Sequence, residues 1–407
     1  MDSSRDPEPE RPPVPPTADT GQQEEEEDET QEFSTEAMLL NLVDAVIVPN
    51  YETLAERTAD FAAADGPLAE HCAAIGTDAD DAATATVQDA WRDAMATVQA
   101  TEMHVFGPAA DNSEALRKRV LSYADAPLST CGVDISVVLA GEADFDIRSR
   151  ALSQRGYGAI EYLLFNDDLT HTCAPQVPST ADWNDLDASE RRLARCTLAQ
   201  DIAQDAAEAA ADLVQNWLAD GDDYRATFLD PEATGDALQH LTDGIFALDL
   251  LVKDRKLGIP TGIHDDCSET ACPELVESPY AANSLANIRA NAASFKALFE
   301  GGEGFGFDDF IVNEEFPDVA ERFRANTQAL VDHIDGIDTP LGEQVLAIES
   351  EDRATECMNA FANPDTPTEL SACSLLGLVK RVTDDLKIDF VTIVGVSVPG
   401  GAQTDND

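Results

Sequence analysis

Chemistry-bearing side chains gather in three short segments of this 407-residue chain. In the first, Arg155-Gly156-Tyr157-Gly158-Ala159-Ile160-Glu161-Tyr162-Leu163-Leu164-Phe165, a glutamate stands among apolar neighbours. A carboxylate on such a face needs a hydrogen-bonding, cationic or metal partner. Each glycine inside a helix costs about 1 kcal/mol relative to alanine. Gly156 and Gly158 therefore mark either close helix packing or space beside a ligand. The second segment is Trp91-Arg92 with Thr101-Glu102-Met103-His104-Val105-Phe106-Gly107-Pro108. The third, Glu277-Ser278-Pro279-Tyr280-Ala281-Ala282-Asn283-Ser284-Leu285-Ala286-Asn287, reads as a turn entering a helix, capped by Asn283 or Ser284. Common enzymatic signatures are missing: no G-x-x-x-x-G-K-[ST], G-x-S-x-G or H-E-x-x-H occurs. The histidines, at 71, 104, 171, 240, 264 and 333, form no i, i+4 pair, so zinc-protease chemistry has no visible apparatus.

Eight cysteines without a C-x-x-C pair point to disulfides and an oxidising compartment. Short loops favour Cys267–Cys272 and Cys357–Cys373, the latter flanking Asn363-Pro364-Asp365. Elimination leaves Cys173–Cys196 and Cys72–Cys131. A zinc site from His264, Cys267 and Cys272 lacks a clear fourth ligand, and disulfides are preferred.

The elements that would hold these segments are helical. Leu39, Val43, Val46, Ile47, Tyr51, Leu54 and Phe61 recur at the spacing of one buried face, with Pro49 expected to kink it. Further helices are predicted over 80–106, 147–165 and 188–219, then near 232–257, 283–300, 317–335, 340–362 and 368–388. The β-branched stretch from Phe390 to Val398 predicts a short extended segment. The expected architecture is all-α: one bundle over 36–220, a joint at 220–234, and a second bundle over 231–400, with an old duplication suggested by their similar size. Residues 1–35, rich in Pro and Glu, should form an acidic tether.

In shared order, these segments resemble the imelysin family. Leu40-Asn41-Leu42-Val43-Asp44 to Pro49-Asn50-Tyr51 resembles its first helix, and Trp91 to Pro108 its second. Gly156 to Leu164 is similar to the G-x-H-x-x-E signature. Lys256-Leu257-Gly258 with Glu277 to Tyr280 and Asn283 to Ala286 resembles its second half. The resemblance spans about 36–400. It implies an extracytoplasmic, often lipid-anchored protein associated with iron or other metal acquisition, in a family first classed as metallopeptidases. It also implies a metal site, here reduced to Glu102 and Glu161. Gly158 takes the place of the signature histidine, and Met95 stands where an arginine is expected. Two carboxylates can hold a hard divalent cation or ferric iron through oxygen. His104, two residues past Glu102, points elsewhere on its helix. Three readings follow: a binding protein for a metal or small ligand with iron-uptake membrane partners, a metallopeptidase, and a scaffold without metal. The missing imidazole favours the first and third.

Charge narrows the partners. With 80 acidic and 25 basic residues the formal charge is −55, which excludes nucleic acid and attraction to anionic lipid. The acidity is spread over the whole chain and lysines number six, so a protein working in concentrated salt is expected. No apolar run of about 18 residues occurs. The first residues, Met1 to Pro7, carry no apolar signal region. If the protein is exported, Met1 replaces a native leader or its lipidated cysteine, and membrane attachment is through that anchor.

Overall fold

Ser34 opens the first helix by accepting the Ala37 amide at 3.1 Å. The computed structural model describes residues 32–123 and 125–404, so the expected tether lies outside them up to residue 31. Helix α1 (Thr35–Asn41) runs through a π-helical turn, Leu42–Ile47, into α2 (Val48–Ala62). Pro49 therefore falls directly after the π turn inside a helix that runs on from α1, where the wider turn accommodates a residue that cannot donate to the ladder. Then come α3 (Pro67–Ala74), α4 (Asp80–Thr101), α5 (Asp111–Val120), α6 (Thr130–Leu139), α7 (Tyr157–Phe165) and α8 (Ala188–Trp217). The 30-residue α8 starts on a capping box in which Asp187 accepts the Glu190 amide and Glu190 the Asp187 amide. It packs along α2, α5 and α7.

The rest of the chain adds α9 (Tyr224–Phe228), α10 (Thr234–Ile245), a π-helix at Leu248–Gly258, α11 (Ser284–Glu300), α12 (Phe307–Asn313) and α13 (Pro317–Asp335). It closes with α14 (Leu341–Leu346), α15 (Glu351–Ala362), α16 (Ser371–Asp385), a π turn at Leu386–Phe390 and α17 (Val391–Val394). The fold is all-α, and no strand occurs among the described residues. Helix α11 packs against α4 on one side and α13 on the other. One contiguous core runs from Met38 through Trp91, Trp217, Phe246 and Phe299 to Phe390.

Several sequence expectations are corrected. The run 80–106 stops at Thr101, after which Glu102–His104 tighten into a 3₁₀ turn. Of 147–165 only α7 is α-helical; Ile147–Ser149 and Leu152–Gln154 are isolated 3₁₀ turns, because Gly156 breaks the path at φ +76°. The β-branched end is helical at Val391–Val394, with Gly395 at φ +75° as its left-handed stop.

Cys267–Cys272 and Cys357–Cys373 are bridged as expected, which removes both cysteines of the considered zinc site. The other two pairs exchange: Cys72 bonds Cys196 and Cys131 bonds Cys173. Helix α3 lies against α8, bringing Cys72 and Cys196 to a Cα separation of 5.7 Å across 124 residues. Cys131, in the first turn of α6, meets the loop that follows α7. Elimination from loop length could not see either tertiary contact.

Candidate binding site

Gly156 sets the site's geometry. A side chain there would bring Cβ within 2.7 Å of the Val120 carbonyl, and the backbone is left-handed, so only glycine fits. It precedes α7 rather than lying inside it. The Trp91 indole donates to the Tyr157 carbonyl at 3.1 Å, tying the start of α7 to α4. One turn on, Glu161 is 2% exposed. Its Oε1 accepts the backbone amides of Tyr280 and Ala281, each at 2.8 Å. Those amides come from a turn in which Ser278 and Ala282 are left-handed, at φ +48° and +52°. Asn283 and Ser284, expected to cap α11, serve this turn instead. Ser284 donates to the Glu277 carbonyl, and Asn283 donates to Asn287, which in turn donates to Ser278 Oγ. Burial pushes the Glu161 carboxyl up to about 8, against the pull of the two amides.

Glu102 faces another way. Ending α4 at Thr101 aims its carboxylate at Lys256, which is fully buried on the π-helix. The Lys256 ammonium donates to Glu102 Oε2 at 2.6 Å, to Asn291 Oδ1 at 2.9 Å and to Gln99 Oε1, and lies 3.1 Å from Glu277 Oε2. Gln99 also donates to Glu277 Oε1 at 3.0 Å, and Asn291 to Glu102 at 3.1 Å. Burial raises the Glu277 carboxyl, while Lys256 opposes the rise. Glu277 thus stands between the two predicted residues, touching the Lys256 cluster and raising Glu161 by its charge.

Gly158 meets open space: a Cβ there would find no atom within 4 Å. Close helix packing is therefore not the reason for this glycine. Gly158 and Glu161 line a cavity of about 470 Å³, walled by Leu121, Leu128, Leu152, Leu275 and Pro279, with Tyr123, Arg155, Glu277 and Tyr280 as polar contributors. Glu102 does not line it. Neither does His104, which is fully buried elsewhere, with Nε2 2.8 Å from Asn50 Nδ2. Burial drives that imidazole down to about 3, so it is neutral. Met95 lies one turn before Gln99, whose amide reaches its sulfur at 3.3 Å.

The imelysin family profile matches residues 47–368. The chain belongs to the imelysin family. An imelysin-like protein from Psychrobacter arcticus 273-4 shares its fold at a TM-score of 0.61 and 15% identity, over 90% of this chain and 98% of that one. A protein named iron-regulated protein A precursor, from Parabacteroides distasonis ATCC 8503, aligns at 0.58 and 16% identity, over 88% and 97%. No curated protein matches the sequence.

A metal site held by Glu102 and Glu161 is the expectation from the resemblance, and the residues here can be tested against it. Glu102 and Glu277 offer the oxygens a hard cation prefers, yet the Lys256 ammonium already draws on both, together with Gln99 and Asn291. Glu161 has one oxygen committed to two amides. Among the described residues no three His, Cys, Asp or Glu side chains converge as a ligand group. As arranged, the cluster fits an ammonium and not a bare metal ion. From sequence, Arg155 and Glu277 stand inside their segments and Lys256 as a family landmark, none of them with a role, while Gln99 and Asn291 go unmarked. Glutamine on the buried face of α4 and asparagine on that of α11 were the available signal.

Proposed function

We propose that this chain is an extracytoplasmic binding component linked to iron or other metal acquisition, with its ligand seated in the cavity beside Gly158 and Glu161. The observation that carries this reading is the cavity itself, at the place where the family signature would put its histidine. Its volume is that of a small-molecule site. The four disulfides are compatible with an oxidising compartment, and the name of the Parabacteroides relative supports the link to iron. With Lys256 already drawing on the carboxylates, metal would enter within an organic complex rather than bare. A lipid anchor ahead of the acidic N-terminal segment and a surface adapted to concentrated salt complete the proposal.

The test is calorimetric titration of untagged protein with iron supplied as ferric citrate, in about 1 M salt so that diffuse binding to surface carboxylates is screened. Saturable binding is expected. Gly158→Phe, which fills the cavity from a position with no packed neighbour, should abolish it while leaving the unfolding midpoint in place. Equal binding by the Phe variant would move the site elsewhere, and no saturable binding would remove the link to iron.

A further inference from the structure

Arg155 is the one cation among the residues lining the cavity. Glu161 is held by two amides, and Glu277 is held by Gln99 and Lys256. Glu274, the remaining acid of the lining, is exposed to solvent. By contrast, the Arg155 guanidinium makes no hydrogen bond within the described residues, and its Nε is buried and unsatisfied. Its ion-pair contact is Asp205 at 3.6 Å. That carboxylate is already held by Arg119 at 2.6 Å and Arg148 at 2.8 Å. Three guanidiniums thus converge on one buried aspartate, with Glu208 and Asp212 at the outer edge serving Arg119 and Arg148. Positive charge is left over on the member that lines the cavity. A guanidinium presents a planar fork of N–H donors matched to a carboxylate. Beside it, Leu121, Leu128, Leu152, Leu275 and Pro279 give an apolar wall.

We propose that the cavity takes an amphipathic organic carboxylate, its carboxylate on Arg155 and its apolar body along Leu121, Leu128, Leu152 and Leu275. The assignment rests on the reading of the cavity as the ligand site, and it names the ligand's chemical class. It also accounts for an anion-seeking group inside a chain of charge −55. The long-range field opposes an anion, but within a partly desolvated cavity the adjacent guanidinium acts at a much lower effective dielectric constant.

Three probes of one shape separate the possibilities: 4-phenylbutyrate, 4-phenylbutyramide and 4-phenylbutylamine, titrated calorimetrically into the full chain. The carboxylate should bind at least about 10-fold more tightly than the amide, or about 1.4 kcal/mol. The amine should be the weakest. Arg155→Met should erase the difference between carboxylate and amide without losing the amide. Tighter binding of the amine, or equal binding of all three, would overturn the carboxylate class while leaving the cavity as a site. An undiminished preference in Arg155→Met would overturn the role of Arg155. Binding of none of the three would remove the cavity reading as well. Should Arg155→Met not fold, the ranking of the three probes on the native chain still decides the class.

Discussion

Glu161 is the most consequential single residue, because burial and hydrogen bonding pull its carboxyl in opposite directions and burial wins. Its folded pKa, about 8, lies above the ordinary 4.5 of an unfolded glutamate. Between these values the folded state holds a proton that the unfolded state has lost, so this residue's contribution to stability falls as pH rises through the window. Below 4.5 it is fully present; above 8 the loss is complete. Glu161→Gln keeps an oxygen for the Tyr280 and Ala281 amides and removes the titration. Urea unfolding at pH 5 and pH 8.5 should show the native chain losing more stability than the variant, by a few kcal/mol on the order of the pKa difference. Parallel losses in the two proteins would show that Glu161 does not titrate there. The sequence did show at this scale that a carboxylate three residues after a glycine, among apolar neighbours, needed a partner. It could not show that the partner is backbone. Two amides of a turn more than a hundred residues away carry no residue-type signal. Met95 was legible as a departure from the family pattern and His104 as a poor substitute ligand, and neither lines the cavity.

Among the elements, the π-helix Leu248–Gly258 shapes the site most. Its wider turn carries two buried lysines, Lys253 and Lys256, into the interior, and π turns of this kind tend to sit where side chains need unusual aim. Lys253 is ion-paired with Asp249 at 2.9 Å, and Lys387 meets the same carboxylate at 3.0 Å. Lys256 is the cation of the polar cluster. Lys256→Met should destabilise the protein by about 3–5 kcal/mol, since Glu102 and Glu277 would be left buried without their counter-charge. Adding Glu277→Gln should recover a good part of that loss. Chemical unfolding of the three proteins in high salt measures both, and a loss under 1 kcal/mol for Lys256→Met would mean that water or another group neutralises the carboxylates. Helix positions were legible from apolar spacing, as at α2, α8, α11 and α13. Helix ends were not, and they decided the site. Glu102 meets Lys256 because α4 stops at Thr101, five residues short of the expected end, and α7 begins only where Gly156 turns the chain. Hydrophobic period does not encode a π turn either, since it changes the aim of a few side chains without changing which ones are apolar.

At the scale of the whole molecule, charge dominates. The described surface pairs many of its arginines with acids, as at Arg192–Asp80 and Arg225–Asp44, yet the chain has 80 acids for 25 bases. Exposed pairs contribute little each, and unpaired acids repel one another over a Debye length of about 10 Å at 0.1 M salt and about 3 Å at 1 M. The thermal midpoint should therefore climb between those concentrations and level off above them; a midpoint independent of salt would defeat the reading of a salt-adapted protein. All-α architecture was legible at this scale from periodicity alone. The single core shared by both halves was not, because no local pattern tells which apolar faces meet.

The pairing of the cysteines bears on the order in which the chain can be completed. Cys131–Cys173 is nested inside Cys72–Cys196, and all four of these cysteines precede Cys267 in the chain. No bridge among the described residues ties a residue before 200 to one after 260. A chain emerging N-terminus first can thus oxidise its leading half with no later thiol competing for it. Until the partners of Glu102 and Glu161 are in place, both carboxylates face water, as charged as any surface acid. Lys256 and the Tyr280–Ala281 amides arrive only with the second half of the chain. In that order covalent closure can precede charge neutralisation, and the burial of acids becomes the step that surrounding salt and pH can hasten or hold back.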